Sequence, residues 1–218
     1  MRHPHRDVLL STLTRREVLA GAAALGAVAL VGVPRAHAAP SVGKAAPAFT
    51  TASTAGPSVS LADLRGKLVV LEWTNHDCPY VRKHYDTGNM QTLQREAVGQ
   101  GVVWLTLISS SPGTQGFVSA SEANELTEKR KAAPTAVLLD PTGAVGKAYG
   151  ATNTPHMYVI TREGVLAYMG AIDDRPTSRR ADVQGANNYV RAALAAVAAG
   201  QPVATPITRA YGCTVKYS

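Results

Sequence analysis

Lys67-Leu-Val-Val-Leu-Glu-Trp73 and, after a short gap, Cys78-Pro-Tyr-Val-Arg-Lys-His84 read as a strand running into a helix. Leu68–Thr74 is apolar and β-branched without alternation, apart from Glu72, which is the pattern of a strand covered on both faces. The second opens on Cys78-Pro79, and a proline at the first helical position gives up only an amide that has no intrahelical partner there. A thiol at such a junction lies against the positive end of a helix dipole, which favours the thiolate, the form of cysteine that reacts. The inert alternative is a buried structural cysteine. The chain holds one other cysteine, Cys213, near the C-terminus.

The same strand-then-helix rhythm continues. A helix is expected over residues 79–97, stopped by Gly99 and Gly101, with His84 on its surface. Strands are expected over 102–108, 135–139, 156–161 and 165–170, the last two joined by the hairpin signal Arg162-Glu-Gly164. Helices are expected over about 119–131, with a capping start from Ser119 to Glu122, over 145–149 and over about 186–199. Residues 39–57 read as a lead-in loop anchored by Phe49, and 59–64 as a short helical turn. Alternating strands and helices that close on a hairpin and a helix predict an α/β class, a sandwich around a mixed central sheet.

The N-terminus reads as a leader. Thr14-Arg15-Arg16-Glu17 is a twin-arginine pattern, an Ala/Gly/Val-rich run follows it, and Ala36-His37-Ala38 has the small-x-small form of a cleavage site. The expectation is a twin-arginine signal peptide over residues 1–38 and an exported protein, periplasmic or secreted, with no stable membrane anchor after cleavage. Removing 38 of the 218 residues leaves 180, one ordinary domain. Five arginines, Asp7 and Glu17 leave with the leader, so the formal charge drops from +7 to +4, which excludes a nucleic-acid partner on charge grounds. The Lys129-Arg130-Lys131 run reads as a solvated helix end. In an oxidising compartment the two cysteines form either a structural staple or a redox pair.

Several pieces, in order, resemble the thioredoxin superfamily, and within it the peroxiredoxin-like (AhpC/TSA-related) proteins, over roughly residues 41–199. They are Val42–Phe49 and Leu61–Lys67 as the lead-in, Trp73–Pro79 as the redox turn, Asp140–Gly150, and Thr154-Pro155 where the family carries its cis-proline. The resemblance implies a thioredoxin-like α/β/α sandwich over 39–200, with 201–218 as a tail carrying Cys213. It places Cys78 as the nucleophile of a degenerate C-x-x-C site whose second cysteine is replaced by Val81. The peroxidatic pattern P-x-x-x-T-x-x-C is broken too, by Leu71 and Asn75. Glu72, six residues before Cys78, matches the buried acid that moves protons at such sites; otherwise it is a glutamate reaching solvent or Lys83. Thr154, Pro155 and Pro79 would shape a groove for an extended partner chain. Cys213 either resolves an oxidised Cys78 or pins the tail.

The implied activity is thiol–disulfide exchange or antioxidant reduction through Cys78, with thiol peroxidase as a second enzymatic reading. The partners are then protein thiols or disulfides, or a small hydroperoxide, together with a redox partner protein, and no cofactor. Two other classes stay open: a copper- or zinc-binding domain using Cys78, His156 and His76, and a non-catalytic module stapled by its two cysteines.

Overall fold

Burial on both faces, read above from the 68–74 run, is realised in a central strand of the sheet. In the computed structural model, which describes residues 39–217, every residue of β3 (Val69–Trp73) and β4 (Val103–Ile108) is buried. The leader expected over residues 1–38 lies outside the described residues. The remaining strands are β1 (Thr50–Ser53), β2 (Val59–Ser60), β5 (Ala136–Leu139), β6 (Asn153–Thr154), β7 (His156–Ile160), β8 (Leu166–Gly170) and β9 (Cys213–Thr214). The helices are α1 (Pro79–Asp86), α2 (Asn89–Gly99), α3 (Ala120–Lys129), α4 (Ala144–Tyr149) and α5 (Tyr189–Ala198).

Seven strands form one mixed sheet in the order β2-β1-β5-β4-β3-β7-β8. β3, β4 and β5 run parallel, and β7, β8 and β1 are antiparallel to their neighbours. Alternate residues of β3 enter opposite cores, as the strand period requires. Val69, Leu71 and Trp73 pack with Leu105, Leu107, Tyr149 and Tyr158 on one face. Val70 packs with Cys78, Val81, Tyr85, Met90, Trp104 and Met157 on the other, beneath α1, α2 and α5. Glu72 shares this second parity, so its carboxyl is committed to the interior on the side that carries Cys78.

The structure departs from the sequence expectations in the 79–97 helix and in the lead-in. The helix expected over 79–97 is two helices, parted at Thr87-Gly88, where Gly88 takes a left-handed φ of 75° and the Thr87 hydroxyl donates to the Lys83 carbonyl at 2.8 Å. Apolar periodicity runs across the break, which is why the two read as one. The lead-in is not all loop: β1 pairs with both β2 and β5 along the sheet edge. The tail is ordered, since β9 pairs antiparallel with β6, matching Thr154 to Cys213 and Asn153 to Thr214. The α3 start is as expected, with a reciprocal capping box between Ser119 and Glu122. Among the described residues no helix is long and apolar enough to cross a membrane.

Tyr217 seats the far end of the tail. Its ring lies over Gly143 and Gly146, where any Cβ would collide with it, and its hydroxyl donates to the Ala151 carbonyl at 2.6 Å. The Ser111 amide donates to the Lys216 carbonyl and the Val215 amide to the Thr152 carbonyl. Gly146→Ala should therefore unseat Tyr217 while sparing the sheet. Carboxypeptidase is expected to trim the C-terminus faster in the variant, with a melting temperature lowered by no more than a few degrees.

Candidate active site

Cys78 is the N-cap of α1, with extended φ and ψ of −72° and 121° and proline following at the first helical position. The turn before it is closed by Asn75, whose carbonyl accepts the Cys78 amide at 3.1 Å and whose Oδ1 accepts the Asp77 amide at 2.9 Å. The cysteine side chain makes no capping bond to the helix amides. Its thiol donates instead to the Thr154 carbonyl at 3.1 Å, and its Sγ accepts the amide of Cys213 at 3.4 Å. The peptide bond between Thr154 and Pro155 is cis. Two groups thus face the sulfur: the Cys213 amide, which donates to it, and the Thr154 carbonyl, which accepts from it.

Strand β9 lies directly over this site. Besides the β6 pairing, the Thr154 hydroxyl donates to the Cys213 carbonyl at 3.4 Å, and Asn153 Nδ2 to the Gly212 carbonyl at 2.9 Å. Gly212 has φ of 123°, and a Cβ there would strike the Thr154 carbonyl, so only glycine lets the tail approach so closely. The two thiols interact directly. Burial, the hydrogen bond to Cys78 and its charge push the Cys213 thiol up to about 12, while the Lys216 cation pulls the other way.

Of the sequence-predicted residues, Cys78, Cys213, Thr154 and Pro155 come together. Pro79 starts the helix and is exposed. Val81, where a second cysteine would stand, is fully buried in the core. Glu72 is also fully buried, and it reaches neither solvent nor Lys83. One carboxyl oxygen accepts from the Tyr85 hydroxyl at 2.8 Å. The other accepts from Trp104 Nε1 at 2.8 Å, Gln94 Nε2 at 3.1 Å and the Thr106 hydroxyl at 3.1 Å. Desolvation raises its pKa against those four donors.

The copper or zinc set does not assemble. His156 stacks on Tyr158, with its Nδ1 3.3 Å from that hydroxyl, and His76 Nε2 faces Asp77 at 3.4 Å. Among the described residues no three His, Cys, Asp or Glu side chains gather to hold a metal. Arg130 is not simply solvated: its guanidinium covers the Tyr85 ring at 4.7 Å and donates to the His76 carbonyl at 2.9 Å.

A cluster beside the site was not foreseen. His84, expected on a helix surface, is fully buried, as is Lys83. Both face Asp173 in the loop after β8. Lys83 Nζ lies 3.5 Å from Asp173 Oδ2 and donates to the Arg175 carbonyl at 2.7 Å. The Tyr211 hydroxyl, from the tail, donates to Asp173 Oδ1 and lies 3.2 Å from His84 Nε2. Asn89 Nδ2 approaches His84 Nδ1 at 2.8 Å. Tyr211 spends its proton on Asp173 and the Asn89 amide nitrogen donates, an arrangement that fits the neutral Nε2–H tautomer of His84. Burial and the adjacent Lys83 hold its pKa down to about 3. The 3.9 Å approach of His84 to Asp173 is therefore no ion pair, and Lys83 is the counter-ion. The sequence signal was faint: a Lys-His pair on a helix that otherwise read as surface, and a Tyr two residues before Cys213.

A model described as the AhpC/TSA family matches residues 42–169. The chain belongs to the AhpC/TSA family. This is a thioredoxin-fold redox family whose members generally act on protein thiols or peroxides. Among solved structures, the chain is similar to an uncharacterized conserved protein from Geobacillus kaustophilus, at 27% identity and a TM-score of 0.71 over 82% of this chain and 93% of that one. A hypothetical protein from Sinorhizobium meliloti 1021 gives 23% identity and a TM-score of 0.71 over 83% and 97%. An exposed lipoprotein thioredoxin from Streptococcus pneumoniae gives 26% identity and a TM-score of 0.46 over 56% and 87%. No curated protein matches the chain.

The buried histidines make stability depend on acid. His156 is held down to about 4 by burial and His84 to about 3. Below the ordinary histidine value of about 6.5 the unfolded chain binds protons that the folded chain refuses, so stability falls as pH drops. Each histidine should cost about 2 kcal/mol between pH 7 and pH 5, read from denaturant midpoints, and His156→Gln should flatten the decline. Glu72 has its own test. Glu72→Leu strands four buried donors and should destabilise by at least about 3 kcal/mol, with Glu72→Gln milder. A proton-shuttle role would instead show as slowed turnover in the Gln variant at unchanged stability.

Proposed function

We propose that this protein is an exported thiol–disulfide oxidoreductase whose active pair is Cys78 and Cys213. The observation that carries the reading is the Thr154–Cys213 strand pairing, which puts the Cys213 amide on Cys78 Sγ at 3.4 Å. Two sulfurs held in contact by a two-residue ladder can close a disulfide with little movement of the fold. The contact replaces the missing neighbour at Val81. Export rests on the twin-arginine pattern at Arg15-Arg16 and the cleavage-type Ala36-His37-Ala38.

In the reducing direction the Cys78 thiolate attacks a substrate disulfide and expels one substrate thiolate, leaving a mixed disulfide. Cys213 then gives up its proton and attacks Cys78 Sγ, releasing the second substrate thiolate and forming the Cys78–Cys213 disulfide. Two electrons and two protons pass to the substrate. Reaction at Cys78 requires β9 to lift from Thr154, because Cys78 is fully buried beneath it. Leu71 and Asn75, where the peroxidatic pattern wants Pro and Thr, count against hydroperoxide as the main substrate.

Mild oxidation should consume both thiols within one chain, seen by peptide mapping, with a reduction potential above about −300 mV, the range of catalytic pairs. Cys78→Ser should abolish reduction of insulin disulfides, and Cys213→Ser should leave a trapped mixed disulfide on Cys78. Full activity in Cys78→Ser would sink the proposal. Faster consumption of hydrogen peroxide than of disulfide would move the protein to the peroxidase reading.

A further inference from the structure

The two sulfurs of the pair are not equally placed. Cys78 has no exposed surface and sits in the core cluster with Val81, Tyr85 and Met90, whereas Cys213 is partly exposed on the covering strand. That strand already occupies the Thr154 edge on which an extended partner chain would add. It is fastened on both sides: by the Tyr211 hydroxyl on Asp173 before it, and by Tyr217 over Gly143 and Gly146 after it. With the strap down, an incoming thiolate finds Cys213 and not Cys78.

We propose that electrons enter the oxidised protein at Cys213, the tail sulfur, and that Cys78 is the leaving sulfur. The proposal rests on the Cys78–Cys213 disulfide argued above and assigns its polarity. One thiolate of a dithiol reductant attacks Cys213 Sγ. A bond forms between the reductant and Cys213, the Cys78–Cys213 bond breaks, and Cys78 departs with the electron pair as a thiolate. The second thiol of the reductant, deprotonated, then attacks its own partner sulfur and releases Cys213, which takes up a proton. The reductant leaves as a disulfide, two electrons poorer, and the protein, once Cys78 takes up a proton from solvent, is left as the dithiol.

Displacement at sulfur needs an open line of approach and a good leaving group. Approach favours Cys213. Departure favours Cys78, whose Sγ has the Cys213 amide as a hydrogen-bond donor at 3.4 Å. Burial disfavours a Cys213 thiolate, which makes Cys213 the poorer leaving group. The nearby Lys216 charge acts on Cys213 and would draw an anionic thiolate toward it.

The test uses the full chain in its oxidised form and reduced glutathione as the probe. Samples are quenched in acid at early times, alkylated with N-ethylmaleimide and mapped by peptide mass. Glutathione on Cys213 and maleimide on Cys78, in about tenfold excess over the reverse pattern, is the expected result; glutathione on Cys78, or on both equally, overturns the assignment. If no adduct accumulates, Cys78→Ser and Cys213→Ser decide, each loaded with glutathione and then treated with dithiothreitol. Cys213 should load and clear faster, and equal or faster clearance from Cys78 overturns the proposal. Two alkylatable thiols before glutathione is added would instead remove the disulfide, and with it the functional reading itself.

Discussion

Thr154 is the residue on which the site turns. Its carbonyl takes the Cys78 thiol, its hydroxyl reaches the Cys213 carbonyl, and its strand carries the pairing that brings Cys213 across. Pro155, joined to it by the cis bond, starts the route into β7, at the heart of the sheet. One backbone position therefore ties a helix start, a central strand and the end of the chain to the same sulfur. The tail adds to the strand edge of its own fold, the mode by which extended peptides bind exposed edges, so the pairing is an intramolecular form of partner recognition.

Two buried polar groups flank this arrangement with different logic. Glu72 is surrounded by four neutral donors, which share one carboxyl and align Tyr85, Gln94, Trp104 and Thr106 around it. Lys83 and Asp173 form an ion pair with almost no solvent, and such pairs are costly to break once built, about 3–5 kcal/mol when one partner is lost. Tyr211 completes that pair from the tail. The position of Cys213 is thus fixed partly by a charge pair that Cys213 never touches.

The fold was legible where the physics is local. Burial on both faces of 68–74 marked the central strand, and Ser119 and Glu122 marked a helix start; Thr154-Pro155 was set beside the nucleophile only by the family resemblance. The break at Gly88 was hidden because an apolar stripe can continue across a single left-handed residue. Edge strands β1 and β2 are short and rich in Thr, Ser and Ala, without the alternation that would expose them. At the site, Cys78 and Cys213 could be named from the sequence, but their contact depends on a two-residue ladder closed across most of the chain. His84 looked like a surface histidine because its burying partners, Asp173 and Tyr211, come from distant segments. No local pattern encodes them.

The β6–β9 ladder has a mechanical consequence. It holds only two residue pairs, so a pull that peels the tail away loads its bonds one after another, while the seven-stranded sheet shares its load among many. Tension on the tail would lift Tyr217 first, then Val215, then the Cys213 pair, leaving the body of the fold intact. A disulfide at Cys78 would stop that peeling at its last step. The oxidation state of two sulfurs then sets how much force the end of the chain can bear.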